Sequence, residues 1–162
     1  MIQLSDFKKV NTYTKSYIKY LSWYLISNFF FNTFIPGNNF RVLLLRLFGS
    51  KIGCNVIIKP FVKIKYPWKL QIGDYSWIGE EVWIDNIFNV KIGDNTCISQ
   101  GVYICSANHH FGKIDFELLR GEVTIGNSCW ISAKSVIGPN VNISDNSFVK
   151  LGEKLTTQFQ ER

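Results

Sequence analysis

The chain reads as an all-β solenoid, a three-sided parallel β-helix of about five coils preceded by a helical arm, and three observations predict it. Aliphatic residues recur every six positions from Ile52 to Leu155, the pair Ile-Gly reopens the pattern at twenty-residue intervals, and the residues after that pair are turn formers. A short fixed period marks a solenoid whose repeat unit cannot bury its apolar side alone.

The first element is the hexad itself. Its aliphatic positions are Ile52, Ile58 and Ile64, then Ile72, Ile78 and Ile84, then Ile92, Ile98 and Ile104, and finally Ile125, Ile131, Ile137, Ile143, Val149 and Leu155. A period of six fits neither the 3.6 of an amphipathic helix nor one long strand of period two. Short strands joined by sharp turns fit it, three sides to a coil, with the recurrent aliphatic residue pointing inward. Coils stacked in this way lie about 4.8 Å apart and pair their backbones with the coils above and below.

The second element is the coil opening, Ile52-Gly53, Ile72-Gly73, Ile92-Gly93 and Ile125-Gly126. Three hexads and two inserted residues make the twenty-residue coil. The following Gly93-Asp94-Asn95 and Gly126-Asn127-Ser128 suit turns because Gly, Asn and Asp tolerate positive φ. The register lapses between Ile104 and Ile125, so residues 105–124 are expected to leave the prism and return, carrying both histidines, His109 and His110.

The third element precedes the repeats. Tyr17, Tyr20, Leu21, Tyr24 and Leu25 have helical spacing within Ser16 to Phe31, and a second helix is expected over Phe40 to Phe48, ending at Gly49. Residues 1–51 thus form a helical arm and 52–162 the solenoid. The apolar run Tyr20 to Ile35 is broken by Ser22, Ser27, Asn28 and Asn32 and is shorter than the roughly 20 residues that span a bilayer.

Composition narrows the function. With 46% hydrophobic and 19% charged residues the chain packs a core and is not disordered. The net charge of +6 lies in the arm, where seven Lys/Arg face the single Asp6, whereas residues 52–162 hold eleven of each sign. No nucleic-acid module accompanies that charge. Lys8, Lys9, Lys15 and Lys19 beside Tyr17, Tyr20, Trp23 and Tyr24 suggest instead an arm that meets anionic lipid headgroups, with packing on the solenoid or on a neighbouring copy as the alternative. Cys54, Cys97, Cys105 and Cys129 form no C-x-x-C pair or Cys/His cluster, so no metal is expected, and together with the lack of a secretory leader pattern they suggest a reducing, cytoplasmic setting.

The hexads over 52–155 resemble the hexapeptide-repeat acyltransferases. The runs Trp83-Ile84-Asp85-Asn86, Cys97-Ile98-Ser99-Gln100-Gly101, Asn108-His109 and Trp130 to Val141 resemble more closely the colanic-acid-type exopolysaccharide acetyltransferases, cousins of the galactoside and maltose acetyltransferases. Arg46-Leu47-Phe48-Gly49 and Tyr66-Pro67-Trp68 extend the likeness toward the arm. The resemblance implies a left-handed coil, a homotrimer with sites between subunits, acetyl-CoA as co-substrate, and a saccharide or lipid-linked saccharide as acceptor.

It also implies residue roles. His109 takes the place of the catalytic histidine, and imidazole titrates in the range a general base needs. His110 stands where related chains carry an acidic residue or proline, and orienting His109, contacting substrate and simple exposure all remain open. Asp85 and Asn86 match acceptor-contacting residues, with turn formation as the alternative. Trp130 matches a tryptophan near the coenzyme or serves as a wall residue. The backbone at Ser132-Ala133 corresponds to the oxyanion donor, and Lys150, Gly152 and Thr156 to coenzyme contacts. The family's next lysine is Thr157 here, and no Asn-Pro segment follows, which leaves Lys150, Lys154 and Arg162 as nearby cations.

Three other readings compete. A γ-type carbonic anhydrase shares the prism but needs three separated histidines. A sugar-nucleotide N-acetyltransferase or serine acetyltransferase brings an N-terminal domain that residues 1–51 do not resemble. A non-catalytic scaffold would keep the coils and lose the coenzyme.

Overall fold

The structure, a computed structural model, describes residues 3–7, 17–31, 33, 37–110 and 112–157. Lys8, Lys9, Lys15 and Arg162 of the charge argument lie outside the described residues. Three parallel sheets, each of five short strands, form the faces of a triangular prism. The first face holds Lys51–Ile52, Leu70–Ile72, Val90–Ile92, Val123–Ile125 and Asn142–Ile143. The second holds Ile57–Ile58, Trp77–Ile78, Cys97–Ile98, Trp130–Ile131 and Phe148–Val149. The third holds Lys63–Ile64, Trp83–Asp85, Tyr103–Cys105, Val136–Ile137 and Lys154–Leu155. On the first face Ile52 pairs with Ile72, Ile72 with Ile92, Ile92 with Ile125, and Ile125 with Ile143. Five coils result.

The predicted hexad positions fill the prism: all are buried except the half-buried Leu155 of the last coil. A second inward position accompanies the hexad. Before the last coil the residue two before the aliphatic also turns in, as Val62, Leu70, Val82, Val90, Val102 and Val123 do, because strand side chains alternate. Ser76 and Thr96 occupy that place on the second face. Their hydroxyls donate to Gly93 O and Gly126 O, each at 2.7 Å, and accept from Thr96 N at 3.0 Å and Cys129 N at 3.1 Å. Small polar side chains can therefore enter the core, because the corner backbone satisfies them.

The glycines after each opening isoleucine have a different cause from the one expected. Left-handed φ falls two residues later, at Asn55, Tyr75, Asn95, Ser128 and Asn146. The glycine is needed for space: a Cβ on Gly73 would come within 2.7 Å of both Asp94 N and Gly93 C. That closeness lets each turn hold the next. Cys54 N–H donates to Asp74 Oδ1 (2.7 Å), Asp74 N–H to Asp94 Oδ1 (2.7 Å), Asp94 N–H to Asn127 Oδ1 (2.8 Å) and Asn127 N–H to Asp145 Oδ1 (2.7 Å). The hydrogen bonds from the Asn127 backbone and side chain hold the Asp145 carboxyl below its ordinary range.

The arm forms two helices, α1 (Tyr17–Phe30) and α2 (Asn38–Leu47), which cover the open end of the first coil. An uncovered coil would expose a row of backbone donors and acceptors on each face, and one side chain from the arm meets each row. Arg46 Nε donates to Ile52 O at 3.1 Å on the first face. On the second, Asn38 Nδ2 donates to Val56 O at 2.9 Å while its Oδ1 accepts from Ile58 N at 2.6 Å. On the third, Trp23 Nε1 donates to Ile64 O at 2.8 Å. Trp23, Phe31, Val42, Leu44 and Leu45 belong to the same buried core as the coils.

The excursion is shorter than 105–124. Cys105 still pairs with Asp85, and Val123 with Val90. The chain departs at Ala107 and forms an antiparallel hairpin of Ala107–His109 with Leu118–Arg120.

These contacts separate two kinds of glycine. Gly73→Ala, which meets backbone, should cost about 2 kcal/mol or more, seen as a fall of roughly 4 °C or more in Tm. Gly152 has φ +68 and nothing within 4 Å of a Cβ, so Gly152→Ala should cost only the strain of left-handed backbone, about 1 kcal/mol. Equal melting shifts for the two would contradict the steric origin.

Candidate active site

His109 ends the outgoing hairpin strand, opposite Leu118. Its Nδ1 lies 2.7 Å from Phe116 O. A carbonyl only accepts, so that partner assigns the ring proton to Nδ1 and leaves a lone pair on Nε2. The Phe116 ring stacks on the imidazole, with centroids 4.2 Å apart and planes at 3°, and Phe7 meets it edge-on at 5.6 Å. Phe116 has φ +49, an uncommon conformation for an aromatic residue. Ring and carbonyl of one strained residue thus fix the plane and the tautomer of His109. Nothing in the sequence announced Phe116, an aromatic residue in a polar loop.

His110 follows the end of the strand. Its backbone N–H donates to Glu117 O at 2.8 Å, and its Nδ1 is buried without a hydrogen-bond partner among the described residues. Beside the hairpin turn, Lys113 and Glu117 form an ion pair that holds the Glu117 carboxyl low and the Lys113 ammonium high.

The expected acceptor residues divide. Asp85 lies on the outer side of the third face, its Oδ1 2.8 Å from Lys65 Nζ and its Oδ2 accepting from Tyr103 Oη at 3.3 Å. Burial, then Cys105 and Asp85, push the Tyr103 phenol above its ordinary pKa, so it stays a donor. Asn86 is corrected: it is fully buried, its Oδ1 accepting from Tyr66 N at 3.0 Å and its Nδ2 donating to Tyr66 O at 2.7 Å. Both ends of the amide are consumed in joining two coils, so Asn86 is a turn-building residue and not an acceptor contact.

The coenzyme candidates gather at another corner. Trp130 is exposed on the second face, its Nε1 donating to Ser99 Oγ at 2.9 Å and its ring 5.1 Å from Phe148. Ser132 and Ala133 follow at the turn between the second and third faces, and Gly152 N–H donates to Ala133 O at 3.0 Å. Lys150 O on the next coil accepts from Ser135 Oγ at 2.9 Å. Ser132 N–H donates to Val149 O at 3.1 Å and is therefore unsuitable as an oxyanion donor, whereas Ala133 N–H makes no hydrogen bond among the described residues. Thr156 is the outlier, past the third face and beside Gly138. Thr157 Oγ1 donates to Pro139 O at 2.6 Å.

The His109 hairpin leaves the corner between the third and first faces, while Trp130, Ala133, Lys150 and Gly152 surround the corner between the second and third. One chain does not bring the two groups together. Among the described residues, no group of three or more His, Cys, Asp or Glu is placed to hold a metal ion.

The histidine geometry is directly measurable. Nitrogen-15 NMR of the imidazoles should give His109 the Nδ1-protonated tautomer at neutral pH; an Nε2-protonated ring would contradict the arrangement.

No protein-family model matches the chain. Over 109 residues, 67% of its length, it is 42% identical to WcaF of Escherichia coli K12, provisionally named a colanic acid biosynthesis acetyltransferase, and it spans 60% of that relative. The galactoside acetyltransferase structure in complex with coenzyme A superposes with a TM-score of 0.75 at 27% identity, covering 83% of this chain and 69% of the other. A hexapeptide-repeat acetyltransferase of Vibrio cholerae, solved with acetyl coenzyme A, shares the fold with a TM-score of 0.77 at 20% identity, covering 89% and 80%. The chain therefore shares the left-handed β-helix fold of the hexapeptide-repeat acetyltransferases and is homologous to proteins named colanic acid and galactoside acetyltransferases, spanning 60% and 59% of their lengths.

Proposed function

We propose that the chain is an acetyl-CoA-dependent O-acetyltransferase acting on a sugar hydroxyl of an exopolysaccharide precursor, with His109 as general base. The observation that carries this reading is the Nδ1 contact with Phe116 O, which leaves Nε2 free to take a proton. Nε2 removes the acceptor hydroxyl proton as that oxygen attacks the thioester carbonyl. The oxyanion so formed is met by the Ala133 N–H. Its collapse breaks the carbon–sulfur bond, and the imidazolium returns the proton to the departing thiolate. The products are a sugar acetyl ester and free coenzyme A.

Two features suit the corner at Ala133 to the coenzyme. Trp130 and Phe148 offer an aromatic ledge, and the exposed Lys134 and Lys150 offer cations for phosphate. Because His109 and Ala133 belong to different corners of one chain, the reaction needs two copies, which favours a homotrimer with shared sites. The outward Trp77 of the second face suits contact between copies. The scaffold reading is supported by Thr157, whose hydroxyl is engaged by Pro139 O where the family resemblance implies a lysine.

Binding and turnover decide between these readings. Wild type and His109→Ala should bind acetyl-CoA with similar Kd by calorimetry, and acceptor-dependent thiol release should fall about 10²- to 10⁴-fold in the variant. Absence of coenzyme binding by the wild type would favour the scaffold.

We further propose that the protein works in the cytoplasm at the inner face of the membrane. Among the described residues no helix is long and apolar enough to cross a bilayer. Yet Ile18, Leu21, Leu25 and Phe29 of α1 and Leu43 and Leu47 of α2 are exposed, on an arm whose charge is positive. An apolar stripe with basic surroundings suits an anionic lipid surface. Ile18→Glu with Leu25→Glu should abolish co-sedimentation with phosphatidylglycerol vesicles; undiminished binding would reject the docking surface.

A further inference from the structure

A cleft of about 220 Å³ lies between α1 and the third face, lined by Tyr24 and Asn28 of the helix and by Lys63, Lys65, Trp83 and Asp85 of the first two coils. No step of the acetyl transfer above uses it. Trp83 and Tyr24 are 46% and 55% exposed, large aromatic surfaces to leave in water. Tyr103 fixes the indole from the next coil, at a ring separation of 4.9 Å, and Lys63 Nζ lies 6.0 Å from it. The cleft is therefore a rigid aromatic wall facing a helix that carries a second aromatic ring.

The polar groups decide what such a wall would bind. Lys65 Nζ and Asp85 Oδ1 pair at 2.8 Å, and both remain partly exposed, at 37% and 15%. An apolar chain seated here would desolvate that ion pair without replacing its hydrogen bonds, which is costly. A phosphate would meet the Asp85 carboxylate. A sugar ring avoids both penalties, since its C–H face packs on an indole while its hydroxyls can donate to the carboxylate and accept from the ammonium groups.

We propose that this cleft is a saccharide subsite, holding a unit of the acceptor distant from the hydroxyl that is acetylated. The inference rests on the O-acetyltransferase reading and deepens it by specifying the size of the acceptor. Asp85 pairs with Cys105 one coil on, a step of about 4.8 Å. The four residues from Cys105 to His109 reach at most about 14 Å more. The hairpin thus lies within reach of an oligosaccharide seated in the cleft. Trp83 and Tyr24 make the chain select oligomers over monosaccharides.

The test is a titration of gluco-, galacto- and manno-oligosaccharides of one to six units into full-length wild type, Trp83→Ala, Trp83→Phe and Tyr24→Ala, read by calorimetry, with Tm and acetyl-CoA Kd as controls for folding. Wild-type affinity should rise with length for at least one series. Trp83→Ala should weaken the longer members at least tenfold and flatten the length dependence, and Trp83→Phe should restore most of it. An unchanged length profile in Trp83→Ala and Tyr24→Ala, no length dependence in wild type, or preferential binding of uridine monophosphate at this cleft would each overturn the subsite. Acetyl transfer to the oligosaccharides with the same KM in wild type and Trp83→Ala would remove the subsite alone. Absence of transfer to any saccharide by the wild type would remove the function and the subsite together.

Discussion

The structure depends on how closely one coil can approach the next at a single corner. Backbone pairing sets the spacing of the stack, but spacing alone does not fix register. Register comes from the side-chain oxygens of Asp74, Asp94, Asn127 and Asp145, each accepting the backbone N–H of the turn before it. Those bonds form only where a glycine leaves room for the incoming side chain. A one-residue slip would place a Cβ against backbone and turn the aliphatic rows outward, so the corner and the core enforce the same alignment. Agreement between local and global preferences is what makes a sequence fold to one state.

A solenoid built in this way has an end to protect. Trp23, Asn38 and Arg46 are scattered in the sequence and look unremarkable there, yet each meets the exposed backbone of a different face of the first coil. Their presence explains why the arm is part of the same core although its composition differs from that of the repeats. Its inner side is committed to the coils and its outer side presents aliphatic and aromatic residues.

Period and turn chemistry made the coils legible from the sequence, because a solenoid's core is a row of positions at fixed spacing. The second inward row is not legible as a hydrophobic period because serine, threonine and cysteine interrupt it at Ser76, Thr96 and Cys129, where the corner backbone satisfies their polar atoms. His109 could be singled out by its motif. The features that orient it could not, since the Phe116 carbonyl is common to all residues and only the turn's unusual φ aims it. Asn86 was legible as a polar residue beside Asp85, but polarity does not reveal whether an amide meets solvent or closes on a backbone. Its pairing with Tyr66 depends on residues twenty positions apart becoming neighbours. For the same reason Ser132 and Ala133, adjacent in sequence, differ in whether their N–H groups are already engaged.

The hairpin that carries His109 enters between Cys105 and Val123, yet the ladders on both sides continue without a missing rung: Ile92 pairs with Ile125, and Asp94 bonds to Asn127 as Asp74 bonds to Asp94. An insertion at a corner therefore costs the stack no backbone pairing, and lengthening a surface loop is itself entropically mild. Such a scaffold separates the residues that hold the stack from those the hairpin presents. A segment of different length or composition could stand at this corner and leave the register of the coils on either side as it is.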